Sequence, residues 1–267
     1  MTLNKERFGG IQRLYGSENA QILAQAHIAV VGIGGVGSWT AEALARSGIG
    51  HITLIDMDEV CVTNTNRQVH AATETVGHMK TAAMTKRIQS INPDCKVTEQ
   101  NRFFTAASCE SLLNQKFDCV VDAIDDRKNK CLLIAQCKRR KIRLVTTGAA
   151  GGRRDPSKVQ VRDINKAYND ALMANVRKEL RQHYGFSRNP KRNWGIPCVF
   201  SPEPVVFPGN DGSVCEKKPK DTELKLDCAS GYGTASFLTG TFGFQAAAKA
   251  MELVLRKSAE PAEIPSS

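Results

Sequence analysis

The sequence predicts a doubly wound α/β fold, in which helices cover both faces of a mostly parallel sheet. Three observations support this: short apolar, β-branched runs that suit strands buried on both faces, helical stretches that alternate with them, and a glycine-rich turn after the first run. About five such alternations fill the first 150 residues of the 267-residue chain.

The first unit consists of a strand at 27–32 (HIAVVG), a glycine loop, a helix that ends before Gly48, and a strand at 51–56 (HITLID). Two strands joined by a helix within about 30 residues must be parallel, with a right-handed crossover. The elements expected next are a helix at 76–91, a strand at 95–100, a strand at 117–124, a helix at 129–141 and a strand at 142–148.

The pattern changes after residue 150, because seven prolines between 151 and 233 interrupt any long element. The elements expected there are short strands at 158–164 and 203–207, a basic helix from about Asp170 to His183 and a final helix from about Gly233 to Arg256. We therefore divide the chain into a nucleotide-binding core with an N-terminal arm (1–150), a C-terminal elaboration of the same domain (151–257) and a mobile tail (258–267).

Composition limits the function classes. With 41% hydrophobic and 24% charged residues, the chain is neither collagen-like, coiled coil nor disordered. Its net charge of +10 suggests a polyanionic partner, with nucleic acid as the first candidate. The nine cysteines contain no C-x-x-C pair, which argues against a zinc ribbon and a disulfide framework. The first residues lack the apolar run of a signal peptide, so we expect a cytoplasmic protein.

A stretch of 21 residues between Asp227 and Lys249 carries no charge and is long enough for a membrane span. It contains four glycines, three threonines and two serines, however, which is a poor composition for a lipid-exposed helix. We expect a buried core helix there and no stable membrane span.

The hexapeptide GIGGVG contains the G-x-G-x-x-G pattern at Gly32, Gly34 and Gly37, after a strand and before a helix. Such a turn lets the phosphates of a ligand approach backbone N–H groups at the helix N-terminus. Asp56 ends the second strand, where a carboxylate can accept hydrogen bonds from ribose hydroxyls. These residues alone are equally consistent with a nicotinamide or flavin dinucleotide.

The following segment favours a triphosphate instead. Asn64, Arg67 and Gln68 come directly after the ribose carboxylate, where a cation and two amides can bind phosphate oxygens. Lys80, on the next helix, could reach the same phosphates. Asp125 follows the strand at 117–124 and could hold Mg²⁺ between two phosphates, whereas a role in capping the next helix suits Asp126 better.

These stretches resemble the superfamily of ubiquitin-activating-type adenylyltransferases, which includes the molybdopterin-synthase and thiamine-thiocarboxylate activators. The matching segments are GIGGVG, IDMDEVCVTNTNRQ, the Lys80 helix and DAIDD. Within the superfamily, RFGGIQRLYG, LVTTGAAGG, CVFSPEPVVFP and LDCASGYG resemble the bacterial tRNA threonylcarbamoyladenosine dehydratases, so that the likeness runs through nearly the whole chain.

The resemblance implies a Rossmann-like sheet of the ubiquitin-activating-enzyme type and ATP-dependent dehydration of a modified adenosine beside the anticodon of tRNA, through adenylylation of its carboxylate. It implies ATP binding by Gly32, Gly34, Gly35, Gly37, Asp56, Asn64, Arg67, Gln68 and Lys80. It makes Asp125 the Mg²⁺ ligand and, with Arg67 and Lys80, part of the catalytic set. It further implies a homodimer in which Arg13, or else Arg7, reaches the ATP of the partner, and it admits a monovalent cation but no zinc.

Two further features concern partners. Cys228 lies near the reactive cysteine of larger relatives and could accept sulfur from a cysteine desulfurase system, although a small apolar residue beside a helix start is the favoured interpretation. Basic clusters at 138–143 and 177–192, with Tyr184, Phe186 and Trp194 among or just after the second, suggest tRNA binding as an alternative to a solvated face. The candidate tRNA-binding residues are Arg181, Arg188, Lys191 and Arg192.

Three other functions remain open from the sequence. An adenylyltransferase for the C-terminus of a small sulfur-carrier protein would use the same site. A dinucleotide-dependent oxidoreductase would use the glycine loop, although the residues from Asn64 to Lys80 argue against it. A nucleotide-sensing scaffold would bind ATP without consuming it.

Overall fold

The computed structural model describes residues 4–209, 211–216 and 232–259, with the side chains of 257–259 left aside. The helices are α1 (Lys5–Tyr15), α2 (Ser17–Gln25), α3 (Gly35–Arg46), α4 (Lys80–Ile91), α5 (Cys109–Leu113), α6 (Arg127–Arg139), α7 (Ala171–His183) and α8 (Ser236–Ala259). The strands are β1 (His27–Val31), β2 (His51–Ile55), β3 (Lys96–Gln100), β4 (Cys119–Asp122), β5 (Leu144–Thr147), β6 (Gln160–Asp163), β7 (Pro197–Phe200), β8 (Phe207–Pro208) and β9 (Val214–Cys215).

Seven strands form one sheet in the order β3-β2-β1-β4-β5-β7-β6. All neighbours are parallel except β6, which pairs antiparallel with β7 at the edge. The chain builds outward from β1 in one direction through β2 and β3, and in the other through β4 and β5. The topological switch between β1 and β4 opens a crevice at the carboxyl ends of the strands, where ligands bind in this class of fold.

Helices cover both faces of the sheet. On one face, Leu23 of α2, Leu44 of α3, Met84 of α4 and Phe242 of α8 join a core with the residues of β1 and β2. On the other face, α5, α6 and α7 contribute a second core that includes Leu112, Ile134 and Val176. The predicted doubly wound, mostly parallel fold is therefore confirmed.

The uncharged segment near the C-terminus forms most of α8. Leu238, Phe242, Ala246 and Ala250 recur at helical spacing and are fully buried. A Cβ atom on Gly243 would lie 2.6 Å from the Cβ of Trp39, so glycine lets α8 pack closely on α3. The expectation of a core helix is confirmed, and among the described residues no helix has the length and apolarity needed to cross a bilayer.

Several elements differ from the sequence prediction. The helix expected at 76–91 begins only at Lys80, since residues 62–79 form turns and short 3₁₀ segments. The strand expected at 203–207 is reduced to the two residues of β8, and α1, α2, α5 and β7 were not predicted. The basic helix is α7, and Asp170 caps it by accepting a hydrogen bond from the N–H of Met173. The three-part division of the chain stays a prediction.

Candidate active site

The glycine loop joins β1 to α3 at the switch point. Gly32 has a φ of 87°, and a Cβ on Gly37 would lie 1.8 Å from the carbonyl oxygen of Gly32, so the fold itself requires both glycines. A Cβ on Gly34 would meet nothing within 4 Å. Gly34 is the N-cap of α3 and gives it no side-chain cap, so the open space lies at the first free N–H groups of that helix. This is the geometry of an anion site.

Asp56 stabilises the glycine loop from the end of β2. One carboxylate oxygen accepts a hydrogen bond from the N–H of Ile33 at 2.6 Å, and the other accepts from the N–H of Asp58 at 2.8 Å. Burial raises the pKa of Asp56, although the nearby Lys80 cation acts in the opposite direction. The remaining lone pairs of the two oxygens can still accept hydrogen bonds from ribose hydroxyls.

Lys80 is the first residue of α4, and its side chain is only 8% exposed. Its Nζ lies 2.7 Å from a carboxylate oxygen of Asp58. Lys80 is therefore not an ordinary surface lysine, because it is buried close to Asp56 and held there by an acid that is itself half exposed. An incoming phosphate could compete for its charge.

The segment that contains Asn64, Arg67 and Gln68 packs on the start of α3. The carbonyl oxygen of Arg67 accepts hydrogen bonds from Trp39 Nε1 at 3.1 Å and from Thr239 Oγ1 at 3.0 Å. A Cβ on Gly35 would lie 3.6 Å from Cγ of Arg67, so the arginine lies beside the glycine loop. Its Nη1 donates to the carbonyl of Thr63 at 2.8 Å.

The two amides of this segment differ in how their oxygens are used. Asn64 is 3% exposed, and its Oδ1 accepts a hydrogen bond from the N–H of Cys61 at 3.1 Å. Gln68 is 6% exposed, and its Oε1 has no hydrogen-bond partner in the described part of the chain. A buried amide oxygen without a partner is costly, which suggests that Gln68 is completed by a ligand.

His70 belongs to the same arrangement and was not predicted. Its Nε2 lies 2.9 Å from the carbonyl oxygen of Ile33, and since a carbonyl only accepts, Nε2 carries the hydrogen. Burial lowers the pKa of His70 to about 4, so the ring is neutral at pH 7. Asp56 thus accepts a hydrogen bond from the N–H of Ile33, and His70 donates one to its carbonyl oxygen.

Asp125 is exposed in the turn between β4 and α6. The neighbouring Asp126 caps α6 by accepting a hydrogen bond from the N–H of Asn129 at 2.8 Å, so the capping role belongs to Asp126 and the role of Asp125 stays a prediction. Behind the turn lies a buried ion pair that was not predicted: Lys130 Nζ is 2.9 Å from Asp122 Oδ2, and both side chains are fully buried.

The two N-terminal arginines lie on α1. Arg7 donates to the carbonyl of Ile91 at 3.2 Å, at the end of α4. Arg13 is exposed, with Nη1 lying beside Gly9 of its own helix. Within the described part of one chain, neither arginine has a hydrogen bond to the glycine loop. Cys228, the predicted sulfur acceptor, lies outside the described residues.

The candidate tRNA-binding residues fall into two groups. Arg188, Lys191 and Arg192 are exposed, and their contact with tRNA stays a prediction. Arg181 instead lies half-buried, donates to Oδ1 of Asn165 at 2.6 Å and lies 5.4 Å from the ring of Trp194. Trp194 is 5% exposed and packs against Phe186 at 4.7 Å. The expectation that these aromatic residues stack on bases is therefore wrong for Trp194, because its ring belongs to the core.

The chain is similar to known proteins over nearly its whole length. The profile of the ThiF family matches residues 10–265. The chain is 50% identical over 256 residues, 96% of each protein, to the tRNA threonylcarbamoyladenosine dehydratase of Escherichia coli (strain K12). It is 47% identical over 253 residues, 95% of each, to the enzyme of that name from Haemophilus influenzae. The crystal structure of Escherichia coli tRNA N6-threonylcarbamoyladenosine dehydratase, TcdA, in complex with ATP has a TM-score of 0.86 at 46% identity, covering 97% of both chains.

Proposed function

Because the chain belongs to the ThiF family, with a likeness to tRNA threonylcarbamoyladenosine dehydratases that spans nearly its whole length, we propose that it catalyses the ATP-dependent dehydration of threonylcarbamoyladenosine in tRNA. The observation that carries the proposal is the open N-terminus of α3 at Gly34, flanked by Asp56, Arg67 and Lys80. A tRNA substrate locates the proposed activity in the cytoplasm.

ATP fits the residues around the glycine loop. Its phosphates would occupy the open space at Gly34, where the free N–H groups of α3 and the Arg67 guanidinium can neutralise them. Its ribose would hydrogen-bond to Asp56, and the unpartnered Oε1 of Gln68 would gain a donor from the nucleotide or a water bound with it. Asn64 would keep the segment in shape by its cap to Cys61. The ATP complex of the TcdA relative supports this proposal.

Mg²⁺ also fits, with Asp125 as its protein ligand. Among the described residues no three His, Cys, Asp or Glu side chains cluster as a metal site, but Mg²⁺ at a nucleotide needs only one or two carboxylates besides phosphates and water. Asp125 offers a carboxylate that is exposed and free of the capping role held by Asp126. When bound, Mg²⁺ would neutralise charge on the phosphates. We also propose a monovalent cation, for which the described residues show no ligand set.

The reaction begins with the substrate carboxylate, whose oxygen is a poor leaving group. In the proposed first step it attacks the α-phosphorus of ATP, the bond to pyrophosphate breaks, and an acyl adenylate forms. A nucleophile of the same threonylcarbamoyl group then attacks the acyl carbon, closes a ring, loses its proton to solvent and releases AMP. The oxygen that is lost in the dehydration leaves on AMP, so no protein nucleophile is needed.

This chain contributes binding and charge rather than covalent chemistry. Lys80 and Arg67 would stabilise the negative charge that develops on the phosphates. Arg13 would supply a further cation from the second subunit of a homodimer, because within its own chain it has no hydrogen bond to the glycine loop. Cys228 would act, if a desulfurase partner exists, as a sulfur acceptor outside this reaction.

The experiment that tests the proposal is mass spectrometry of nucleosides from tRNA that carries threonylcarbamoyladenosine, after incubation with the protein, ATP and Mg²⁺. We expect the loss of one water from that nucleoside only when ATP is present, with AMP and pyrophosphate as products. Asp125→Asn should abolish turnover while ATP binding, measured by calorimetry without Mg²⁺, is retained. Asp126→Asn is the matched control, because asparagine also caps helices and should preserve turnover.

Adenylylation of a small sulfur-carrier protein is the second candidate function, since it uses the same nucleotide site. It predicts pyrophosphate exchange that depends on the carrier C-terminus and ignores RNA. No mass change in the nucleoside, together with intact ATP binding, would favour it over dehydration.

A further inference from the structure

The exposed cations of the predicted tRNA-binding set do not lie at the ATP edge of the sheet, which is the edge at the carboxyl ends of the strands where ATP is proposed to bind. The segment before β7 contains Arg188, Lys191 and Arg192, and β7 runs parallel to β5, so this segment lies at the amino ends of the strands. The glycine loop and Asp125 follow the carboxyl ends of β1 and β4. The two places are therefore at opposite edges of the sheet.

The length of helix α6 gives the distance between these two places, because the helix runs from one edge of the sheet to the other. It begins at Arg127, next to Asp125, and ends at Arg139 just before β5. Its 13 residues span about 20 Å at the usual rise of an α-helix. At its far end Lys138 Nζ donates to the carbonyl of Trp194 at 2.8 Å, which joins α6 to the loop at 187–195.

Hydrogen bonds from neighbouring side chains hold the backbone of this loop, which we call the basic loop (187–195). Nδ2 of Asn165 donates to the carbonyls of Arg192 at 2.7 Å and Asn189 at 3.1 Å, and Lys166 donates to the carbonyl of Pro190 at 2.7 Å. Asp163 accepts the N–H groups of Trp194 at 3.1 Å and Gly195 at 2.7 Å. A loop whose backbone is held at five points loses little backbone conformational entropy on binding.

Asn165 is central to this arrangement. It is 8% exposed, and its Oδ1 accepts a hydrogen bond from Arg181 at 2.6 Å. Arg181 thus takes part in holding the loop rather than in facing a partner. The side chains of Arg188, Lys191 and Arg192, by contrast, form no ion pair or hydrogen bond with other described residues and are exposed.

The chemistry of this surface fits phosphates rather than bases. Unpaired cations are available at Arg188, Lys191 and Arg192, and the exposed Arg139 and Lys141 lie at the same edge. Of the three aromatic residues in this segment, Trp194 is buried and Phe186 packs against it, so that only Tyr184, 37% exposed, stays at the surface. Double-stranded RNA is recognised mainly through its shape and its backbone, which is what such a surface can contact.

We propose that the basic loop, with Arg139 and Lys141, binds the phosphate backbone of a helical RNA stem about 20 Å from the reacting nucleotide, and that Asn165 is the positioning residue of this surface. The proposal rests on the proposed function, because it assumes that the reacting nucleotide of the RNA occupies the ATP edge.

The test compares two RNA stem-loops that carry the modified nucleoside in the same loop, one closed by two base pairs and one by a longer stem. In Arg188→Gln/Lys191→Gln/Arg192→Gln, kcat/KM for the long-stem RNA should fall about tenfold or more, with the short-stem RNA changed less than about twofold. The KM for ATP should stay unchanged. A matched control removes three exposed cations elsewhere, Lys5→Gln/Lys86→Gln/Arg256→Gln, and should leave both RNAs unaffected.

Binding of the unmodified long-stem RNA provides a readout that is independent of catalysis. The slope of log K against log salt concentration should fall in magnitude by about two to three in the basic-loop variant, at roughly 0.9 per phosphate contact. Equal losses on the two stem-loops, or an unchanged salt slope, would overturn the proposal. Failure of the wild-type protein to dehydrate any RNA, with a normal salt slope, would instead count against the proposed function.

Asn165→Ala tests the positioning role. The variant keeps all the exposed cations but removes the donor that holds the carbonyls of Asn189 and Arg192. We expect a raised KM for the long-stem RNA, with kcat and the KM for ATP retained, and faster hydrogen exchange in the basic loop. A drop in kcat on both stem-loops would mean that Asn165 acts on the fold as a whole, and the positioning role would be wrong.

Discussion

Lys130→Met probes the buried ion pair beneath the Asp125 turn. Lys130 Nζ contacts Asp122 Oδ2 at 2.9 Å and donates to the carbonyl of Ile124 at 2.7 Å, and both side chains of the pair are fully buried. Methionine has a similar length but no charge, so the carboxylate of Asp122 would keep only the hydroxyl of Thr146 and the N–H of Ile124 as donors. Removing one partner of a buried pair costs about 3–5 kcal/mol.

The measurement is urea unfolding at one fixed protein concentration, since a dimer would make the midpoint depend on concentration. A thermal melt gives a second readout, in which the expected loss for a chain of this size corresponds to a fall in Tm of roughly 10 °C. Lys130→Met/Asp122→Asn should recover most of the loss, since the asparagine is neutral and its amide oxygen can still accept the hydrogen bond from Thr146.

Two outcomes would refute the assignment of this loss to the unpaired charge. A loss of less than about 1 kcal/mol for Lys130→Met would mean that the buried carboxylate finds another partner or water. A double variant as unstable as the single one would mean that the loss came from packing of the lysine stem and not from its charge.

Three further predictions concern the nucleotide site. Gly34→Ala should leave Tm unchanged and weaken ATP binding, whereas Gly37→Ala should destabilise the fold, since only the Cβ at position 37 meets protein atoms. Thermal melts measure the stability of the two variants and calorimetry their ATP binding. Equal losses of Tm would refute the distinction. The neutral His70 ring stabilises the fold above pH 6.5, and up to about 3 kcal/mol of the free energy of unfolding is lost as the pH falls towards its folded pKa of about 4. In urea titrations, His70→Gln should reduce the dependence of the free energy of unfolding on pH between these values. An unchanged dependence would assign it to other groups. Arg13→Ala and Asp125→Asn subunits, each inactive alone, should regain turnover when mixed, and no recovery would argue against a shared site.

Local patterns predicted the first half of the fold because they depend on neighbours in sequence. The apolar runs at β1 and β2 and the glycine loop between them determine a βαβ unit without help from the rest of the chain. Strand β7 was missed because it is defined by pairing with β5 and β6, more than 30 residues away in sequence in each case. Helix α4 starts later than predicted because residues 62–79 are held by contacts to α3 and to the glycine loop.

The site divides in the same way. The glycines, Asp56, Arg67 and Lys80 come together as predicted, since they follow neighbouring strand ends. Thr239, which supports Arg67, comes from α8 and could not be found from local sequence. Lys130 could have been found: it stands in a helix whose positions 131, 133, 134 and 137 are apolar and buried, and Asp122 ends an apolar strand nearby. A charge within such a pattern indicates a buried pair.

The basic segment at 177–192 was the least predictable part, because the number of charges does not show which side chains face the core and which face solvent. Helix α7 buries Met173, Val176 and Leu180 against α6, and this packing turns the adjacent Arg177 and Arg181 partly inward. Arg177 donates to the carbonyl of Ile164 and Arg181 to Asn165, so two of the six cations serve the structure of the segment. Sequence therefore predicts that the partner is a polyanion, whereas only the fold selects which cations face it and how far from the reacting groups they do so.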